Sequence, residues 1–290
     1  MQQAIRAAFE PQWLDAMTRL GDRMRQQTES LQRALASAVT PAFEQWSLQL
    51  PKISTAWVEQ MRPAFEQLRR SWEEALPPNW EGFDVDEVSA AIERIESTGC
   101  CLVWVPRIEI VREVLDADAT ATKGVLLARR GDILDDALDV LAEVTELQLA
   151  PERDSAVAAI KAFRDGHSQA AQALASSVFT STAHKLFEMG TKAIRRRMAE
   201  THPDEAAIAQ LRIRTIYLAG ARALDEFRPD RATPVRRDFN RHNTAHRITA
   251  EQWTDANALS AIMLSAALLR ELNVWFSRDR QSGANGTVNE

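Results

Sequence analysis

Hydrophobic positions in this chain recur at helical rather than strand spacing. In "LLARRGDILDDALDVLAEV", Leu127, Leu134, Leu138 and Leu141 stand seven, four and three residues apart, with Ile133 an alternative to Leu134, which lays one apolar stripe along a helix. A long Ala-rich run follows, "ERDSAVAAIKAFRDGHSQAAQALASSVFTSTAHKLFEMG", with a break expected at Gly166. Its small residues, "AAQALASS", let a neighbouring helix approach closely. "EAAIAQLRIRTIYLAGARAL" predicts a further helix that closes before the prolines of "DEFRPDRATP". "TAEQWTDANALSAIMLSAALLRELNVWF" predicts the last, with Thr249 and Gln252 reading as a capping box at its start. Four main helices make an all-α bundle, with a short polar segment before the final helix.

Upstream the pattern is less regular. Residues 1–78 read as amphipathic helix interrupted by prolines, and "PAFEQ" occurs twice, at residues 41–45 and 63–67, 22 positions apart. Pro-punctuated repeats of that length resemble the lipid-surface helices of apolipoproteins. The polar face mixes both charge signs, however, which favours packing against helices over a membrane surface. "LPPNWEGFDVDEV" ends this region, since its prolines cannot continue a helical ladder, and a short helix is expected from about Val85 to Glu96. "GCCLVWVPRIEIV" gathers β-branched and aromatic residues between Gly99 and Pro106 without an evident partner strand. It reads as extended chain anchored by Trp104, within a linker over residues 79–120. The bundle then occupies 121–277, and the Gly/Asn-rich residues 278–290 are expected to be disordered.

Composition narrows the class. Ala, Leu, Arg, Glu and Gln dominate, with 10 Gly and a single Tyr among 290 residues, which again favours helix. The only cysteines, Cys100 and Cys101, are adjacent, a placement that rarely suits a disulfide, so a reducing cytoplasm is expected. The N-terminal sequence lacks a basic segment followed by an apolar run, and the longest apolar stretch, residues 256–269, is shorter than the ~20 residues a bilayer requires. The expectation is a soluble chain without an integral membrane segment. Net charge is −6, but residues 192–247 hold 13 Lys+Arg against 7 Asp+Glu, leaving 22 against 34 elsewhere. One basic region in an acidic protein suits a local anionic partner such as phosphate or RNA. It equally fits a solvated helix end around Arg195, Arg196 and Arg197.

Chemistry concentrates in "RRDFNRHNTAHRITAEQW", where Arg241, His242 and His246 fall within six residues. A histidine titrating near neutrality serves as general acid or base, and a permanently charged guanidinium offers forked donors to phosphate. On one helix, positions five apart diverge by about 140°, so a pocket shared by Arg241 and His246 needs a bent segment or a second copy. His242 and His246 are four apart on one helix face, a familiar two-histidine metal spacing. Position 243 is Asn rather than the Glu of a zincin, and no third ligand is evident nearby, so neither metal nor cofactor is expected. A further alternative has Arg241 and His246 bonding the carbonyls of a helix end.

The R-polar-x-x-x-H pattern of Arg241, His242 and His246, placed just before the final apolar helix, resembles that of the HEPN superfamily. The wider "FNRHxxxH" form is similar to that of uncharacterised bacterial HEPN-like proteins, and "FRDGHSQAAQALA" is similar to their second bundle helix. The likeness covers roughly residues 121–276. It implies a HEPN-like four- to five-helix bundle, preceded here by the amphipathic N-terminal region. It also implies a metal-independent endoribonuclease working as a homodimer, often within a toxin or antiviral defence system. On that resemblance His246 transfers protons, Arg241 stabilises phosphate charge, and His242 orients the pair or contacts substrate. Arg247, Arg237 and Asn240 are then the RNA-binding candidates. Arg247 stands where the bacterial form usually has Gly, so it either alters the turn or adds a phosphate contact. A HEPN fold kept for binding alone is one alternative. Another is a non-catalytic scaffold meeting a partner, or an antitoxin, through residues 1–76.

His167, His184 and His202 fit helix breaks, helical stretches or loops. Asp132, Asp135 and Asp136 could supply an orienting carboxylate, and Arg129 and Arg130 could extend a basic groove. The three aspartates equally suit a solvated helix face.

Overall fold

The computed structural model describes residue 70 and residues 74–199, 211–226, 237–246 and 248–286. The expected N-terminal amphipathic helices fall almost wholly on residues 1–69, outside the described residues. Regular structure among the described residues is entirely helical: ten α-helices and three short 3-10 turns, without a strand. The chain divides into two compact units, Met1–Ala90 with Glu200–Arg214, and Ala91–Ala199 with Thr215–Glu290.

In the first unit, Pro78–Trp80 form a 3-10 turn, with Pro77 extended before it and Pro78 at its first position, where the missing amide hydrogen is not needed. Trp80 is fully buried and its ring stacks on Phe83, with centroids 5.9 Å apart. Gly82 adopts φ 80°, which lets the chain reverse between them. Asp84 Oδ1 accepts from the Glu87 amide at 2.8 Å, and Glu87 Oε2 accepts from the Asp84 amide at 3.0 Å. This reciprocal capping box starts α1, Val85–Thr98, where the sequence placed a helix.

The second unit contains α2 (Ile108–Asp116), α3 (Thr122–Ala128), α4 (Arg130–Ala142), α5 (Ala150–Arg164), α6 (Ser168–Phe187) and α7 (Thr191–Ala199). After α8 (Leu211–Ala223) come the six-residue α9 (Arg241–His246) and the long α10 (Asp255–Gly286). Helix α10 is the axis of this unit: α3, α4, α5 and α6 all pack on it, α6 most extensively. The close approach of α6 follows from its small residues. Ala171 and Ala175 are fully buried, and Ser265 Oγ donates to the Ala175 carbonyl at 2.8 Å across the interface. By length and composition the segment Asp255–Arg278 could cross a membrane, but 78% of its apolar window is buried inside the protein. That is the condition of a bundle's core helix.

The break at Gly166 forms as expected. Gly166 takes φ 84°, the His167 amide bonds the Ala162 carbonyl at 2.8 Å, and the Gly166 amide bonds Phe163 at 3.1 Å. This is a Schellman closure, which needs a residue at ease in the left-handed region.

Three expectations are corrected. The stripe from Leu127 to Leu141 belongs to two helices, α3 and α4, because the backbone departs from helical geometry at Arg129. Residues 79–120, read as a linker with one short helix, contain a second helix, α2, beside the expected α1. Between those helices Cys100, Cys101, Leu102, Val103 and Val105 are fully buried. Trp104 anchors the segment as expected: its indole donates to Glu271 Oε2 at 3.1 Å, and the Arg270 guanidinium lies 4.7 Å over its ring. Burial raises both thiols above their ordinary range, Cys101 to about 12, and neither forms a disulfide. Finally, α10 runs on to Gly286, through most of the segment whose composition suggested disorder. Extending a formed helix adds a hydrogen bond per residue without a new nucleus, so a packed helix carries weak formers along.

Candidate functional site

Arg241, His242 and His246 all lie on α9. Six residues are too few to hold a helix by propensity, so its environment must supply the order. Asn240 is the cap: its Oδ1 accepts from the Asn243 amide at 2.9 Å, while its carbonyl receives the Thr244 amide at 3.0 Å and hydroxyl at 2.9 Å. Gln252 clamps the cap in turn. Its Oε1 accepts from the Asn240 amide at 2.8 Å and its Nε2 donates to the Asp238 carbonyl at 2.9 Å. From α6, Gln172 Nε2 donates to Thr244 Oγ1 at 2.9 Å and to the Gln252 carbonyl at 3.1 Å. From α10, Asn257 Nδ2 reaches that carbonyl at 2.9 Å. Asn240, Gln252, Gln172 and Asn257 are fully buried, where directional hydrogen bonds are strongest and unmade ones cost most.

A charged brace holds the entry to α9. Asp238 lies between Arg222, 2.6 Å away, and Lys123, 3.6 Å away. Lys123 Nζ also donates to the Arg237 carbonyl at 2.7 Å and to Asn257 Oδ1 at 3.1 Å. Arg222 reaches the Glu96 carbonyl at 2.9 Å and runs alongside Gly99, where a Cβ would meet its side chain at 3.0 Å. The capping box expected from Thr249 and Gln252 does not form, because the Gln252 amide is engaged by the motif segment. Helix α10 starts instead at Asp255, with Thr254 Oγ1 accepting from the Asn257 amide at 3.2 Å.

The reactive groups of α9 occupy its less buried positions, with His242 and His246 on one face and Arg241 turned away from His246 by about 140°. Arg241 and His242 are half-buried, and His246 is exposed. The two imidazoles lie one turn apart, with ring centroids 4.7 Å apart and planes inclined by 58°. Among the described residues, none of the three side chains makes a hydrogen bond or an ion pair. The alternative in which Arg241 and His246 bond helix-end carbonyls is therefore not what the fold adopts. Burial, then the neighbouring His246 and Arg241, hold the His242 imidazolium below its ordinary range, against a smaller opposing pull from Glu226.

The remaining expected residues separate. Asn240 was expected to contact RNA, but it is wholly buried and spends its side chain capping α9 and donating to the Asp225 carbonyl at 2.9 Å. It positions the motif from behind. Arg237 is exposed at the entry to α9. Arg247 and His202 lie outside the described residues. Asp136 is bonded to Arg107, Asp135 to Arg164, and Asp132 lies 3.6 Å from Arg129, so these carboxylates serve surface pairs and not the motif histidines. Arg130 caps the Leu127 carbonyl at 3.1 Å, His184 bonds Thr191 at 3.2 Å, and His167 is exposed at the α5–α6 break.

Gln252, Gln172, Asn257, Lys123 and Asp238 were not singled out as site residues from the sequence. The legible signal was amides recurring at 240, 243, 252 and 257 beside an apolar helix, since an amide that must be buried needs a partner. Asn243 is buried with both carboxamide atoms unbonded among the described residues, as is Gln172 Oε1, the polar remainder of this network. Among the described residues, no group of three or more His, Cys, Asp or Glu is placed to hold a metal ion. The site thus offers two unencumbered imidazoles and a guanidinium on one rigidly backed helix, a set suited to moving protons beside an anion. Compared with known proteins, the chain matches no protein-family model, no curated protein and no solved structure.

Proposed function

We propose that this protein is a metal-independent endoribonuclease of the HEPN type, acting as a homodimer on RNA. The observation that carries the reading is the His242–His246 pair beside Arg241, kept free of internal hydrogen bonds on a helix fixed by buried amides. His246 is the proton-transfer group: as a neutral base it takes the 2′-OH proton while the oxygen attacks the adjacent phosphorus. Arg241 donates to the phosphoryl oxygens as charge builds in the pentavalent state. The 5′-oxygen leaves with a proton from an imidazolium, giving a 2′,3′-cyclic phosphate and a 5′-hydroxyl. A second copy supplies a further imidazole and guanidinium across the cleaved bond. Burial, with His246 and Arg241 beside it, disfavours the His242 imidazolium, which suits His242 to orient His246 or contact substrate. A role in toxin or defence systems is what the HEPN resemblance adds to this reading.

The test is RNA cleavage by the purified full-length chain in EDTA, beside His246→Ala. A positioned acid–base group contributes roughly 10²–10⁴-fold, so the variant loses nearly all activity while the wild type leaves cyclic-phosphate ends. A folded, demonstrably dimeric wild type that cuts no RNA would sink the reading.

A further inference from the structure

We propose that His242 and His246 form a two-imidazole binding site for a late first-row divalent metal ion, with Cu2+ the tightest ligand, and that the bound ion shuts off the site. The sequence argued against metal because a zincin's glutamate and a third ligand are missing. A two-histidine chelate needs neither, since water completes its coordination. Its requirement is geometric. A metal sits about 2.0–2.1 Å from an imidazole nitrogen, and so about 3.2 Å from that ring's centroid. Two rings sharing the ion at right angles then have centroids about 4.5 Å apart, and at a tetrahedral angle about 5.2 Å. The observed 4.7 Å falls within that span, so the two rings stand at a separation at which one ion can be shared. Cu2+ heads the general affinity order of the first-row divalent ions for nitrogen sites, ahead of Ni2+ and Zn2+.

Two further observations support the site. Neither ring is hydrogen-bonded among the described residues, so no internal bond must break for a nitrogen lone pair to meet a metal. The backing by Asn240, Gln252 and Gln172 holds the two turns in place before binding, which lowers the ordering cost. Arg241 opposes binding through its charge, as a single carboxylate-free pair would feel strongly, so the ion is held reversibly. An occupied nitrogen can neither take nor give a proton.

The decisive experiment is calorimetric titration of the full-length protein with CuCl2 and, as a probe that does not oxidise thiols, NiCl2, with MgCl2 as a control. His242→Gln, His246→Gln and His184→Gln are compared with wild type. Expected is one equivalent of Cu2+ bound more tightly than Ni2+, with no uptake of Mg2+. Losing either motif histidine should weaken binding by at least about tenfold, the low end of what even an outer-shell change costs a metal site. His184→Gln should leave binding unchanged. Equal affinity in both motif variants would place the ion elsewhere, and no uptake by folded wild type would refute the site outright. Inhibition of RNA cleavage by CuCl2, reversed by EDTA, belongs to the ribonuclease reading. Calorimetry decides the metal site whether or not any RNA is cut.

Discussion

Helices α9 and α10 are consecutive along the chain and are held in place by opposite means. From Ala258 to Leu272, α10 is buried almost all round by aliphatic side chains, and its position follows from removing that surface from water. Helix α9 buries only Asn243 and Thr244, and is fixed by amides reaching it from α6 and from the turn between α9 and α10, that turn being held in its place by Asn257 of α10. Hydrophobic burial is non-directional and tolerates adjustment, whereas an amide network constrains angles as well as distances. A site that must present two imidazoles and a guanidinium in fixed relation is better served by the second. The core helix supplies stability; the polar clamp supplies orientation.

Substitutions can separate the two roles. The largest stability loss is expected from Leu268→Ala in α10, which removes a fully buried side chain at a cost of about 2–5 kcal/mol in urea unfolding. Histidine ring resonances of the remaining folded fraction should be unchanged. Gln252→Leu should cost less, about 1–3 kcal/mol, because it strands the Asn240 amide and the Asp238 carbonyl without partners. Unlike the core variant, it should shift the His242 and His246 resonances and slow any cleavage beyond its effect on stability. If Gln252→Leu moves neither resonance, the orienting role assigned to the clamp is wrong.

The smallest effect is on pH dependence. His242 is held below its ordinary range by burial, His246 and Arg241, so the folded state prefers the neutral ring. Its contribution to stability is therefore complete above a pH of about 6.5, the unfolded value, and declines as pH falls from there towards the folded value. His242→Gln should flatten the stability profile on the acid side of that point and leave it unaltered above. Urea unfolding at a series of pH values reads the difference directly, and parallel profiles would show that His242 is not the group responsible.

Much of the fold was legible because its determinants are local. Gly166 breaks the Ala-rich run because only a residue comfortable at positive φ closes α5 in that way. Residues 170–177 promised a close helix contact because small side chains leave room for one. The misreadings share a cause. Residues 100–105 have no periodicity of their own and are buried by helices remote in sequence, so they looked like a linker. Thr249 and Gln252 matched a capping signature, yet the Gln252 amide found better partners at Asp238 and Asn240. Asn240 looked like a ligand-binding side chain beside the motif and proved to be the cap beneath it.

The sequence by itself determined the helical class, the central apolar helix and the placing of Arg241, His242 and His246 on one short segment before it. Spacing and side-chain hydrophobicity are properties of neighbours along the chain, and those suffice for such conclusions. Only the tertiary structure decided that the two imidazoles stand 4.7 Å apart on an outward face, and that Gln172, Gln252 and Asn257 hold that face rigid. Hydrogen bonds between residues up to 80 positions apart depend on how the helices pack, and packing is settled by the whole chain at once.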